Sequence, residues 1–158
     1  MSGHGNPAAP LLYLAGPLFN VAERRFNLEL TSRLEAVGYR VFLPQRDGAE
    51  GTKEPYASMS KDERRAVMFA TDRDTIYGCD VFLFVLDGRV PDEGACVELG
   101  LAYAHRQTAG RPRRLVGVQT DARAAFMGSR LNPMIRVALD EIYETVEELV
   151  DALTMTAR

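Results

Sequence analysis

The chain has 158 residues, 46% hydrophobic and 26% charged, with a net charge of -3 at neutral pH. This is a globular composition with enough apolar residues for a core, and its slight acidity provides no basic field for nucleic acid or an anionic membrane. No apolar run reaches the length of a membrane span.

The opening MSGHGNPAAP lacks a signal-peptide core. Two cysteines and two histidines are too few for a zinc cluster of known spacing. Cys79 and Cys96 read as buried free thiols, which makes the reducing cytoplasm the expected compartment. Residues 1–10 read as a flexible tail and residues 11–158 as one domain.

Leu11-Leu12-Tyr13-Leu14-Ala15 predicts a first strand, broken by Gly16-Pro17, with the Tyr13 hydroxyl able to reach the strand's exit. Asn20 caps a first helix whose apolar stripe is Phe26, Leu28, Leu30, Leu34 and Val37, and Gly38 closes it. Tyr39 to Leu43 reads as a second strand, stopped by Pro44. Residues 45–59, with two glycines, a proline and mixed charges, predict a surface loop of the length used for lids. Ser60 with Glu63 forms a capping box that opens a second helix through Tyr77, with Val67, Met68, Ala70, Thr71 and Ile76 as its buried face. By pattern alone, Asp72 and Asp74 in that helix are solvated acids.

The apolar run Val81 to Leu86, framed by Asp80 and Asp87, predicts a strand buried on both faces of a parallel sheet. Asp87-Gly88 stops it, a polar loop with Pro91 follows, and Gly94 to Ala104 has the composition of a close-packed helix. Asp92 stands at the mouth of the loop and Glu98 in the first helical turn, where the macrodipole favours a carboxylate and lowers its pKa. The small neighbours Gly94, Ala95, Cys96 and Gly100 leave room for a ligand near the backbone.

Further on, Arg114 to Val118 reads as a fourth strand and Thr120 to Met127 as a short helix or lid. Ile142-Tyr143 is a brief last strand. Thr145 and Glu148 form a second capping box, opening a helix through about Thr154. The strand–helix alternation predicts a three-layer α/β domain of flavodoxin-like type, with right-handed crossovers and functional loops at the carboxyl ends of its strands. Tyr13, Asp92 and Glu98 would form an acidic site there. No Walker loop or GxGxxG anchors a triphosphate or dinucleotide.

From LLYLAGPLF to NPM the chain resembles the nucleoside 2-deoxyribosyltransferase family, most specifically in Asp-Glu-Gly-Ala-Cys-Val-Glu-Leu-Gly (residues 92–100) and in Asp72 standing eight residues ahead of Asp80. The resemblance implies a doubly wound, five-stranded parallel sheet, an oligomer, and a part in nucleotide salvage. It implies Glu98 as nucleophile and Tyr13 as the residue that orients it. Asp92 and Asp72 would bind the nucleobase and manage its proton. Asn132 and Met134 would be lent by a neighbouring subunit to the sugar's 5'-hydroxyl end. Gly16 and Phe19, after the first strand, and Gly94, in the acidic loop, are the further expected substrate contacts.

The implied reaction attacks C1' of a 2'-deoxynucleoside, forms a deoxyribosyl ester on Glu98 and returns the sugar to a second base with retention, as in retaining glycoside hydrolysis. Asp92 would serve as acid and then base. Deoxynucleosides and free nucleobases are the expected partners, with no metal and no cofactor. The alternatives are a nucleoside 5'-monophosphate N-glycosidase of the same superfamily and a non-catalytic nucleotide-binding module. Phosphate calls for glycine-rich amides or convergent donors. Pro17 lacks one such donor, and Arg24, Arg25 and Arg89 are the only candidate cations, so free deoxynucleosides are expected to outrun their monophosphates.

Overall fold

The computed structural model describes residues 9–49, 54–121 and 131–156. Its elements are β1 (Leu11–Ala15), α1 (Val21–Ala36), β2 (Arg40–Phe42), α2 (Pro44–Asp47), a 3-10 turn (Tyr56–Ser58), α3 (Lys61–Gly78), β3 (Val81–Val85), α4 (Glu93–Ala109), β4 (Arg114–Val118), α5 (Pro133–Ala138), β5 (Glu141–Tyr143) and α6 (Val146–Thr156). The five strands pair in parallel in the order β2-β1-β3-β4-β5. This is the doubly wound, flavodoxin-like order, which reverses between β1 and β3 and opens a crevice at their carboxyl ends.

Strand periodicity divides the core in two. Leu12, Leu14, Val81, Leu83 and Val85 face Leu30 and Leu34 of α1 and Leu149 and Leu153 of α6. Tyr13, Ala15, Phe82 and Phe84 face the other way, toward Ile76 of α3 and Ala95, Leu99 and Ala102 of α4. All five residues of β3 are buried, as a strand covered on both faces requires. Among the described residues no helix is long and apolar enough to cross a membrane.

The helix caps follow the sequence closely. Asn20 and Glu23 close a reciprocal box on α1, and Ser60 and Glu63 another on α3. At α6, Thr145 accepts from the Glu148 amide (3.1 Å), but Glu148 reaches back to the amide of Glu144 instead of Thr145 (3.2 Å).

The helix faces needed correction. The inward residues of α1 are Asn27, Leu30, Thr31 and Leu34, a regular i, i+3, i+4, i+7 set that turns Leu28 outward. In α3 only Ile76 is fully buried, while Met68 and Phe69 are exposed. Of the thiols, Cys79 is buried but Cys96 only half-buried. The expected 45–59 loop begins as α2 and ends in the 3-10 turn. Residues 50–53 of that loop, residues 1–8 of the expected tail and residues 122–127 of the expected short helix or lid lie outside the described residues.

Candidate active site

α4 begins one residue before the loop glycine because Asp92 caps it: its Oδ1 accepts the Ala95 N–H at 2.8 Å. Glu93 is therefore the first helical residue, and Glu98 falls in the second turn, not the first. From there the Glu98 side chain reaches toward the sheet, where the Tyr13 hydroxyl donates to its Oε1 at 2.8 Å. Tyr13 is fully buried. Its ring stacks between Phe42 of β2 and Phe82 of β3, at 5.5 and 5.8 Å between centroids and within 14° and 6° of parallel. Three adjacent strands thus fix where that hydroxyl points.

Asp72 of α3 enters the same site. A cleft of about 260 Å3 between α3 and α4 has Phe69, Ile76, Val97 and Leu101 as apolar walls, Gly94 at the α4 entrance, and Asp72, Arg73 and Glu98 as its charged groups. Burial pushes Glu98 up to about 7, against the downward pull of the Tyr13 hydrogen bond, and negative charge at Asp72 and Asp92 adds to the rise. This reverses the direction expected from the macrodipole. The dipole acts through unbonded amides of the first turn, and desolvation in the second turn outweighs it. Burial likewise raises Asp72 to about 6, with the Tyr13 hydroxyl opposing. The Tyr13 phenol is driven far above its usual range by burial and by Glu98 and Asp72, so it remains a donor.

The sequence-predicted residues divide into those the fold brings together and those it does not. Tyr13, Asp72 and Glu98 meet, and Gly94 lines their cleft. Asp92 is committed to capping α4. Gly16, at φ +155°, lets the loop after β1 press on β3, where a Cβ would lie 2.8 Å from the Val85 Cβ. Phe19 is exposed, its amide donating to Glu23. Neither Gly16 nor Phe19 lines the Glu98 cleft.

Asn132 caps α5 through the Met134 amide at 2.9 Å. Met134, 81% exposed, borders an apolar groove of about 290 Å3 with Cys96, Leu99, Gly100 and Tyr103. That is the flank of α4 away from Glu98, so one chain does not join Asn132 and Met134 to the cleft. Asp74, the other helix acid, is exposed.

A larger hollow of about 360 Å3 lies beside α1 at the ends of β3 and β4. Two of its carboxylates already serve loop amides: Glu23 takes those of Phe19 and Asn20, and Asp87 those of Thr120 and Asp121. The smaller cleft has the perturbed carboxylates, and it is the better candidate.

Sequence reasoning missed Arg73. The readable signal was the spacing Phe69, Asp72, Arg73, Ile76, a helical stripe that includes both charges. Arg24, Arg25 and Arg89, the cations expected near a ligand, do not line the cleft.

Comparisons agree with this architecture. A search of curated proteins returns no match. Among solved structures, a conserved protein from Enterococcus faecalis V583 is 22% identical, covers 94% of this chain and 99% of its own, and superposes with a TM-score of 0.72. A 2-deoxyribosyltransferase from the psychrotolerant Bacillus psychrosaccharolyticus is 21% identical, with 91% and 95% coverage and a TM-score of 0.72. A CMP N-glycosidase from Clostridium botulinum is 19% identical, with 92% and 98% coverage and a TM-score of 0.51. At these identities the likeness is one of fold. The nucleoside 2-deoxyribosyltransferase family model matches residues 12–150, and the chain belongs to that family.

Proposed function

We propose that this protein transfers 2-deoxyribose between nucleobases through a covalent intermediate on Glu98. The observation that carries the reading is the Tyr13 hydroxyl held 2.8 Å from Glu98 Oε1 in a cleft that Asp72 shares. Glu98, ionised, attacks C1' of a deoxynucleoside. The C1'–N bond breaks through an oxocarbenium-like transition state, and Asp72, protonated, gives its proton to the departing base. Tyr13 holds one carboxylate oxygen and so aims the other at the sugar.

In the return half, a second base attacks C1' of the ester from the face its predecessor left. Asp72 takes up the proton that base sheds, and Glu98 is released as carboxylate. Asp72 is preferred over Asp92 as the acid because Asp72 lines the cleft and burial raises its pKa to about 6, which makes it a readier proton carrier near neutrality than an ordinary aspartate. Asp92 secures the start of the helix bearing Glu98. Asn132 and Met134 belong to this reading as contributions from a second copy, since neither lines the Glu98 cleft of its own chain.

The deciding experiment incubates the protein with deoxyinosine and adenine, or deoxyinosine and cytosine, and follows new deoxynucleoside by chromatography. Release of hypoxanthine with no deoxyadenosine or deoxycytidine formed would favour hydrolysis, with water in place of the second base. Absence of both would refute glycosyl chemistry on these substrates.

A further inference from the structure

We propose that Arg113, outside the cleft, is a positioning residue for the proposed reaction: it sets the packing of α3 against α4 that brings Asp72 and Glu98 into one cleft. This rests on the reading of that cleft as a glycosyl-transfer site. Arg113 directly precedes β4 and is 6% exposed. Its Nε donates to the Cys79 carbonyl at 2.9 Å, its Nη2 to the Tyr77 carbonyl at 2.7 Å and its Nη1 to the Ala102 carbonyl at 3.3 Å. The first two acceptors close α3, and the third lies within α4. One side chain therefore binds both helices. Beside it the ring of Tyr77 in α3 stacks on that of His105 in α4, 4.2 Å between centroids and 8° from parallel, and Nη2 of Arg113 lies 3.4 Å from Nδ1 of His105. Arg106 of α4 in turn donates to the Arg113 carbonyl at 3.2 Å. Ile76 and Leu101, next in sequence to Tyr77 and Ala102, line the cleft, and Asp72 and Glu98 stand about one helical turn before them.

Capping α3 does not by itself account for Arg113. The last turn of α3 contains no basic residue, and its terminal carbonyls carry the negative end of the helix dipole, so a cation there is stabilising. A surface cation serves that purpose, and Arg111, half-exposed, already reaches the Tyr77 carbonyl at 3.5 Å. Arg113 is buried instead and bonds to no carboxylate among the described residues. Burial pulls its pKa down, so the charge is kept there at a cost. What the buried position adds is the bond to Ala102 and the place beside the Tyr77–His105 stack, contacts that reach the second helix. The packing of the two helices matters to the chemistry because burial is the largest cause of the raised pKa of both acids. If α3 turns or draws away from α4, water enters the cleft and both carboxyls return toward their ordinary values.

The test uses R113M, which removes all the donors, R113K, which keeps the charge, and Y77L, which removes the stack and leaves Arg113 and its carbonyl acceptors in place. Two quantities are read in each folded variant: kcat and KM for exchange from deoxyinosine to adenine, and the titration of the Glu98 carboxyl by carbon-13 NMR, assigned with E98Q. R113M should lose ~10- to 100-fold in kcat, the scale of a misplacement of about 1 Å, with a smaller change in KM. Its Glu98 pKa should fall from about 7 toward 4.5. R113K should recover part of both effects, and Y77L should show both in weaker form. In an active protein the two readings must move together. A lower Tm with kcat and the Glu98 titration unchanged would make Arg113 a helix cap only and overturn the proposal, as would a change in either reading alone. Should R113M not fold, R113K and Y77L carry the same test with the same outcomes. Should the wild type exchange no base, the glycosyl-transfer reading fails on its own; the titration then decides the role of Arg113, a lowered Glu98 pKa in the variants supporting it and an unchanged one overturning it.

Discussion

Replacing Glu98 by glutamine should make the protein more stable at alkaline pH while abolishing transfer. Glutamine keeps the size of the side chain, and its carbonyl oxygen can accept the Tyr13 hydroxyl in place of Oε1. Glu98 ionises at 4.5 when unperturbed and at about 7 in the fold. Between those values the folded state therefore binds a proton that the unfolded chain has released. Stability from this group is fully present below about pH 4.5 and is lost as pH rises through about 7. A rise of that size corresponds to about 3 kcal/mol, carried by the wild type above pH 7 and absent from E98Q, which does not titrate. The raised Asp72 pKa contributes a slope of the same sign to both proteins and largely cancels in the difference. Urea unfolding followed by circular dichroism at about pH 5 and about pH 8.5 measures the difference, which should widen in favour of E98Q by about 3 kcal/mol. A gap independent of pH, or a less stable E98Q at the higher pH, would show that the carboxylate is not desolvated, and the account of its pKa would fall.

The productive state needs Glu98 ionised and Asp72 protonated. With values of about 7 and about 6, the pair should give a bell-shaped kcat/KM with its maximum between them. D72N should lose ~10²–10⁴-fold in rate and the alkaline limb with it; D92N, whose amide caps α4 equally well, should escape that loss, and the opposite ranking would return the acid to Asp92. G16A should destabilise by about 1–3 kcal/mol, because its methyl meets Val85 in a backbone conformation unsuited to side chains; an unchanged Tm would contradict that. If Asn132 acts in trans, mixing inactive E98A with inactive N132S, serine keeping the α5 cap, should restore part of the activity after subunit exchange, and no recovery would make each chain's site self-contained.

Much of this was legible in the sequence because it depends on local pattern. The apolar runs at Leu11–Ala15, Val81–Val85 and Arg114–Val118, separated by capped helices, were enough for a three-layer α/β domain with a parallel sheet. A chain of alternating strands and helices with short links has few other ways to bury both faces. Asn20 and Ser60 marked their helix starts because a cap is settled within four residues. Glu98 and Tyr13 were nameable from residue type and position, whereas Asp72 read by pattern as a solvated acid and was named only through the family resemblance.

The tertiary structure decided what those groups can do. Desolvation depends on what packs over a side chain, so the direction of the Glu98 pKa could not be read from its place along α4. The difference between Asp72, inside the cleft, and Asp74, exposed two residues later, depends on the rotation of α3 against α4. That same rotation brings Arg73 into the cleft. Asp92 became a cap because the helix starts at Glu93, one residue earlier than the Gly94-Ala95 pattern suggested. Apart from that local cap, each outcome depends on how two elements distant in sequence pack together, and no local pattern encodes that.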